Sequence, residues 1–266
     1  MLLPRRVRFS VLVRVSDPRA RRGIAGPIWR VVFIAILLGG LSGFGFVPVS
    51  RGQENVSASP AFGQYFFTTI SSELGIPRTS ILTAKQTKDG ALWVGTESGL
   101  LRFDGVRFVS FRNADASAFI SHFIYCLYEA RDGSLWIGTD HGVVRYHEGK
   151  FTHEGLADVA VRAIAGDPAG NIWIGTMGRG LFTWRAGELK DMSAEISPRD
   201  RSILSLLVDT EDRLWIGFYH DPGFVTYKDG VLTRLDADGQ ISSVVTSICE
   251  SPQGNIWLGT HSQGVF

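Results

Sequence analysis

Arg131-Asp-Gly-Ser-Leu-Trp-Ile-Gly-Thr139 decides the fold, because the chain repeats it. The same frame reads Lys88-Asp-Gly-Ala-Leu-Trp-Val-Gly-Thr96, Pro168-Ala-Gly-Asn-Ile-Trp-Ile-Gly-Thr176, Thr210-Glu-Asp-Arg-Leu-Trp-Ile-Gly-Phe218 and Pro252-Gln-Gly-Asn-Ile-Trp-Leu-Gly-Thr260. The anchors are Trp93, Trp136, Trp173, Trp215 and Trp257, spaced by 43, 37, 42 and 42 residues. A period of this length matches one four-stranded propeller blade.

Each repeat divides into strand-sized parts. An apolar strand A (Ile81–Ala84, Ile124–Tyr128, Val161–Ala165, Ile203–Val208, Val244–Ile248) precedes the frame. Asp-Gly or Gly-Asn pairs, which tolerate positive φ, then mark a tight turn in four repeats. The fourth has Asp212-Arg213 there, so a different turn is expected. Strand B is the Leu-Trp-Ile-Gly-Thr core. Strand C follows as Gly99–Phe103, Gly142–Tyr146, Gly180–Trp184 and Gly223–Tyr227, and a second turn leads to strand D, as in Arg107–Phe111.

Strand B is apolar without clean alternation, the pattern of a strand buried on both faces. The expected fold is therefore all-β: a β-propeller of four-stranded antiparallel blades over residues 64–266. About five repeats are present, and the last, reaching only Gly264-Val265-Phe266, is incomplete. Gln64–Ile70 reads as a strand D with no A–C before it, of the kind that completes a last blade. The five tryptophans are core anchors, since aromatic rings dominate buried area. Gly95, Gly138, Gly175, Gly217 and Gly259 lie two residues beyond them on the same face. They are expected to leave room for a large ring from the adjoining blade.

Charge separates the chain into two regions. Residues 1–30 hold eight Arg and one Asp, while the remaining residues hold 19 Lys+Arg against 25 Asp+Glu. An acidic body argues against nucleic acid as a partner, because phosphate binding needs clustered cations. The basic stretch precedes an uncharged run, residues 31–49, just long enough to span a bilayer. Residues 1–50 thus read as a basic leader with a hydrophobic helix outside the propeller, either a cleaved signal peptide or a signal anchor in the inner membrane. The positive-inside rule leaves the N-terminus in the cytoplasm and the propeller in the periplasm. Residues 51–63 read as a linker. The two cysteines, Cys126 and Cys249, lie in apolar strand-like stretches and are expected to be buried free thiols.

The repeats resemble the two-component regulator propeller family, found in the extracytoplasmic sensor regions of bacterial histidine kinases and related receptors. Leu74-Gly-Ile-Pro-Arg-Thr-Ser-Ile-Leu-Thr-Ala-Lys-Gln-Thr-Lys-Asp-Gly-Ala-Leu-Trp-Val-Gly-Thr-Glu-Ser-Gly-Leu-Leu-Arg-Phe-Asp-Gly-Val-Arg-Phe108 is similar to that family's usual first blade. The resemblance implies a ligand sensor that belongs to a longer receptor able to dimerise. Its output module, a kinase or cyclase, is expected outside these residues.

In a propeller the B-to-C and D-to-A connections emerge on one face. The B-to-C loops offer Glu97, Asp140, His141, Arg179, Tyr219, His220, Asp221 and His261 as ligand-binding candidates. The D-to-A connections add Asn113, Asp115, His122, Arg199, Asp200, Asp236 and Asp238. Such groups suit a small polar ligand such as a carbohydrate. No cofactor, metal site or catalytic residue is expected: His141, His220 and His261 share equivalent loops but not neighbouring blades, and no nucleophile elbow or phosphate loop occurs. Two alternatives to a sensor stand beside it, a propeller lyase and a scaffold for a partner protein.

Overall fold

The structure is a computed structural model that describes residues 79–111, 123–196, 200–235 and 240–266. The leader, the linker and the expected strand at residues 64–70 lie outside the described residues. Among the described residues no helix is long and apolar enough to cross a membrane.

Four blades are complete. The first comprises β1 (Ile81–Gln86), β2 (Leu92–Thr96), β3 (Gly99–Phe103) and β4 (Phe108–Ser110). The second comprises β5 (Ile124–Glu129), β6 (Leu135–Thr139), β7 (Gly142–His147) and β8 (Lys150–Gly155). The third comprises β9 (Val161–Gly166), β10 (Ile172–Thr176), β11 (Leu181–Arg185) and β12 (Glu188–Asp191), followed by the one-turn helix α1 (Ser193–Ile196). The fourth comprises β13 (Ile203–Val208), β14 (Leu214–Phe218), β15 (Phe224–Lys228) and β16 (Val231–Arg234). Each is an antiparallel sheet in chain order A-B-C-D. The fifth has β17 (Val245–Glu250) paired with β18 (Ile256–Thr260), and Val265 bridges Gly259 where strand C begins.

Every A-to-B turn is built alike. Thr87, Ala130, Asp167, Asp209 and Ser251 each receive an N–H from the residue three positions on. That residue is Gly90, Gly133, Gly170 or Gly254 at positive φ in four blades and Asp212, at φ 59°, in the fourth. The expected difference in the fourth turn is therefore absent. Aspartate tolerates the left-handed region well enough to take glycine's place. Three C-to-D turns (Glu148-Gly149, Ala186-Gly187, Asp229-Gly230) hold both residues at positive φ, the two-residue geometry that matches strand twist.

Neighbouring blades meet along their A strands, β1 with β5, β5 with β9, β9 with β13 and β13 with β17. Strand A is thus the inner edge, and the core lies between blades. Trp93 packs against Tyr146 of the second blade, Trp136 against Trp184 of the third and Trp173 against Tyr227 of the fourth. Trp215 joins Val245, Leu258 and Ile248 of the fifth. These four indoles are 1–9% exposed, whereas Trp257 is 47% exposed. No described residue of a following blade covers it.

The glycines that follow the tryptophans serve contact, though not with a ring as the sequence suggests. A Cβ at Gly95 would stand 2.6 Å from Ile124 of the next blade and 2.6 Å from Thr83. At Gly138 it would meet the Val161 carbonyl at 2.8 Å, at Gly175 the Ile203 side chain at 2.6 Å, and at Gly217 the Val245 carbonyl at 2.7 Å. The space is shared by the next blade's strand A and by Thr83, Cys126 and Ser205 of the blade's own strand A, and no aromatic ring enters it.

The thiols divide. Cys126 points inward, and burial pushes its pKa up to about 12. Cys249 is free but exposed, which corrects the expectation of burial. It pairs across the ladder with Trp257 and shares that uncovered face.

Candidate functional site

The threonine that ends the frame fixes the loop after strand B. Buried Thr96, Thr139 and Thr176 donate Oγ1–H to the carbonyls of Gly99, Gly142 and Gly180 at 2.8, 3.0 and 2.7 Å. Thr260 does the same to Gly264. The fourth repeat has Phe218 instead, and its loop needs another anchor. Asp200, from the connection before strand A, supplies it.

The Asp200 carboxylate is buried and accepts the backbone N–H of Ser202 (2.8 Å), His220 (2.7 Å) and Asp221 (3.1 Å). The Nδ1 atom of His220 lies 3.2 Å from it. Burial alone would raise the pKa of Asp200. The Ser202 and His220 N–H groups, the His220 ring and the Asp221 N–H more than offset this and hold it below the usual 3.8. The exposed His220 ring meets Tyr219 edge to face, centroids 4.7 Å apart. Asp221 is gripped in turn by both terminal nitrogens of Arg234, at 2.7 and 3.0 Å.

Tyr219, His220, Asp221 and Asp200 are thus one unit, an oriented imidazole beside an exposed phenol ring on a rigid loop. With Nδ1 against a carboxylate, Nε2 is the ring atom left to face solvent. The other candidates are distributed around the loop face. His141 Nδ1 lies 3.2 Å from the Ala157 carbonyl, and its Nε2 lies 3.9 Å from Asp140. Glu97, Arg179 and His261 are exposed on their own loops. Asn113, Asp115, His122, Arg199, Asp236 and Asp238 lie outside the described residues. No three His, Cys, Asp or Glu side chains among the described residues converge as a metal site would require.

Two residues with clear roles in these loops escape the repeat frame. His153, on β8, places Nε2 3.0 Å from the His141 carbonyl. Arg234, on β16, grips Asp221 from an outer strand. Neither carried a local signal, because each meets its partner through the sheet and not through sequence spacing. A third set lies on the inner edge. Strand A of each blade skips one residue in its pairing with strand B: Leu82, Tyr125, Arg162, Leu204 and Thr246.

The family model of the two component regulator propeller matches residues 118–141, 155–178 and 239–262, each spanning a Trp-Ile-Gly-Thr or Trp-Leu-Gly-Thr frame. These three segments match the two component regulator propeller repeat. The chain is similar to the extracellular domain of a protein of B. thetaiotaomicron described as a one component system, at 26% identity, covering 71% of this chain and 28% of that one, with a TM-score of 0.60. It is similar in fold to the extracellular domain of a second protein of that organism, described as a hybrid two component system, at 22% identity, 78% and 28% coverage and a TM-score of 0.53. It also shares its fold with virginiamycin B lyase of Staphylococcus aureus, at 15% identity, 73% and 71% coverage and a TM-score of 0.58. This chain spans less than a third of the length of these two extracellular domains. No curated protein matches it by sequence.

Proposed function

We propose that this propeller is the extracytoplasmic, ligand-binding part of a two-component-type signalling receptor, and that it binds without catalysing. The observation that carries the reading is the conjunction of the matched repeats with the 26% identical extracellular domain of the B. thetaiotaomicron protein. The uncharged run at residues 31–49, preceded by arginines, fits export with the N-terminus in the cytoplasm. A rigid scaffold carrying varied loops on one face suits recognition. The ligand is a small polar molecule of the carbohydrate class, received by Tyr219 and His220. An aromatic ring offers an apolar platform, and an imidazole offers a donor or acceptor. The test is a thermal-shift screen of the full chain against neutral saccharides, repeated with His220→Ala. A ligand-dependent rise in Tm that this substitution abolishes supports the reading. No shift with any saccharide sinks it.

One observation favours a lyase instead. A histidine held by a carboxylate through one nitrogen and open at the other is the arrangement of a general base. Quinupristin, the compound bound by the catalytically inactive virginiamycin B lyase of S. aureus, is the substrate to offer. Turnover that disappears in His220→Ala would establish this second reading over the first.

A further inference from the structure

The inner edge carries a cation whose surroundings differ from those of five other arginines in or beside the sheets. Arg102, Arg107, Arg145, Arg213 and Arg234 each face a carboxylate. Arg162 makes no ion pair or hydrogen bond among the described residues. It is half-buried, and its guanidinium lies over the ring of Tyr125, 4.2 Å from the centroid. Tyr125 in turn stacks with Phe123, centroids 6.1 Å apart and planes 29° apart.

The backbone explains the placement. Val161 pairs with Thr176 and Ala163 with Gly175, so Arg162 is the skipped residue of a bulge. Tyr125 is the skipped residue one blade earlier, between Ile124 and Cys126. A bulge re-aims its side chain away from the regular pleat. These bulges recur at the loop-face end of strand A, opposite the Gly-Thr of strand B, on the edge where neighbouring blades meet. The equivalent positions on either side are Leu82 and Leu204. Among the described residues the inner rim thus carries Leu82, Tyr125, Leu204 and Thr246 with the Arg162 guanidinium set among them.

We infer that Arg162 and Tyr125, with Phe123 beside them, form an anion receptor on the inner edge that takes an organic carboxylate. A guanidinium presents paired N–H donors that match a carboxylate's two oxygens. The Tyr125 face holds the group in place by cation–π attraction, so little side-chain freedom remains to be lost when an anion docks. Phe123 and Leu204 suit the apolar or planar part of the same molecule. The inference rests on the ligand-binding reading and adds a charge class to it, at a place separate from His220.

The experiment is calorimetric titration of the full chain with benzoate and with glucuronate, using benzamide as the neutral control. Both Arg162→Gln and Arg162→Lys are measured, and each variant is checked for an unchanged melting temperature. The expected result is binding of at least one carboxylate and none of benzamide. Affinity should fall about tenfold or more in Arg162→Gln, as loss of a charge-assisted pair implies, and less in Arg162→Lys. Which probe binds distinguishes an aromatic acid from an acidic sugar. Absence of binding by both carboxylates overturns the inference, as does binding that Arg162→Gln leaves unchanged. Binding of neutral saccharides that His220→Ala abolishes and Arg162→Gln does not, with no carboxylate bound, removes this site and leaves the proposed function standing.

Discussion

The indole of Trp136 in the second blade meets the indole of Trp184 in the third edge to face, with ring centroids 4.8 Å apart. Arg145 lies over both, 5.7 and 5.5 Å from their centroids, and is held by Asp132 at 2.7 Å. Its buried Nε has no hydrogen-bond partner among the described residues, and the guanidinium lies against the ring faces. Removing a buried indole takes away that whole inter-blade contact. Trp136→Ala is expected to cost about 3–5 kcal/mol. Trp257→Ala removes the same residue from the same frame, yet no described blade covers it, and the expected cost is under ~1 kcal/mol. Urea denaturation of the two variants checks this. Equal losses would mean that Trp257 is covered in solution.

The strand B glycines give a second contrast. At Gly217 an added methyl meets the Val245 backbone carbonyl of the next blade at 2.7 Å. At Gly259 its near neighbours are the Ser247 hydroxyl, which can rotate away, and more distant atoms of the same residue at 3.6 and 3.8 Å. Overpacking a rigid contact costs about 1–3 kcal/mol. Gly217→Ala is therefore expected to lose stability in that range and Gly259→Ala very little, as read from thermal melts.

These contrasts show what the sequence makes legible and what it hides. Period, turn chemistry and the apolar frame specify the blades, because each is a local pattern repeated five times. The tryptophans read as core for the same reason. What fills the gap beside Gly95 is not legible in the sequence, since a ring and Ile124 are equally compatible with a missing side chain. The helix Ser193–Ile196 is a single turn, too short to show a period. Asp200 was visible only as one polar connection residue among seven. Its pairing with His220 depends on two loops, 20 positions apart, meeting at one end of a blade. The absence of threonine at Phe218 was the sole hint that this loop needed another anchor. Arg162 lay inside an apolar strand, and only the bulge directs it to the inner edge.

Asp209 makes the structure sensitive to acid. It is buried and accepts Trp215 Nε1–H at 2.7 Å and Arg213 Nε–H at 2.7 Å, together with the Glu211 and Arg213 backbone N–H groups. Burial raises its pKa, and these donors, Trp215 first, more than reverse the shift and leave it below 3.8. A depressed carboxylate stabilises the fold fully above its unfolded value, and that contribution is lost as pH falls through the lower folded value. Stability of the wild type should thus decline below about pH 4. Asp209→Ala leaves the Trp215 N–H unpaired and should cost about 1–3 kcal/mol at pH 7, with a flatter acid limb. Urea midpoints from pH 2.5 to 7 give both quantities. A parallel acid limb in the variant would remove Asp209 as a source of the pH dependence.

The thiols offer a readout of blade packing. Cys126 is raised to about 12 by burial, and its Sγ lies 3.9 Å from the Val161 carbonyl of the next blade. The thiolate is the reactive form, and it is scarce at pH 8 for such a group. Cys249 is exposed. Iodoacetamide at pH 8 should label Cys249 within minutes and Cys126 only after unfolding, as mass spectrometry of peptides would reveal. Early labelling of Cys126 would mean that the second and third blades separate in the native state.

The fourth-blade loop depends on one carboxylate, and its loss should be local. Asp200→Ala removes the acceptor for the backbone N–H groups of Ser202, His220 and Asp221 and the partner of the His220 ring. Each hydrogen bond to a charged group is worth about 1.5–3 kcal/mol, so amide exchange at His220 and Asp221 should accelerate by roughly 10- to 100-fold, since ~1.4 kcal/mol corresponds to tenfold. The blade itself is held by other means, the β14–β15 ladder and the Trp215 contacts, and exchange along Leu214–Phe218 should stay within about threefold of wild type because local opening need not involve the core strands. Asp200→Asn keeps an acceptor oxygen and should recover part of the protection. Hydrogen exchange followed by mass spectrometry resolves the two segments. Uniform acceleration across both would show that Asp200 supports the whole blade, and a ligand effect of the substitution could then not be assigned to the orientation of His220.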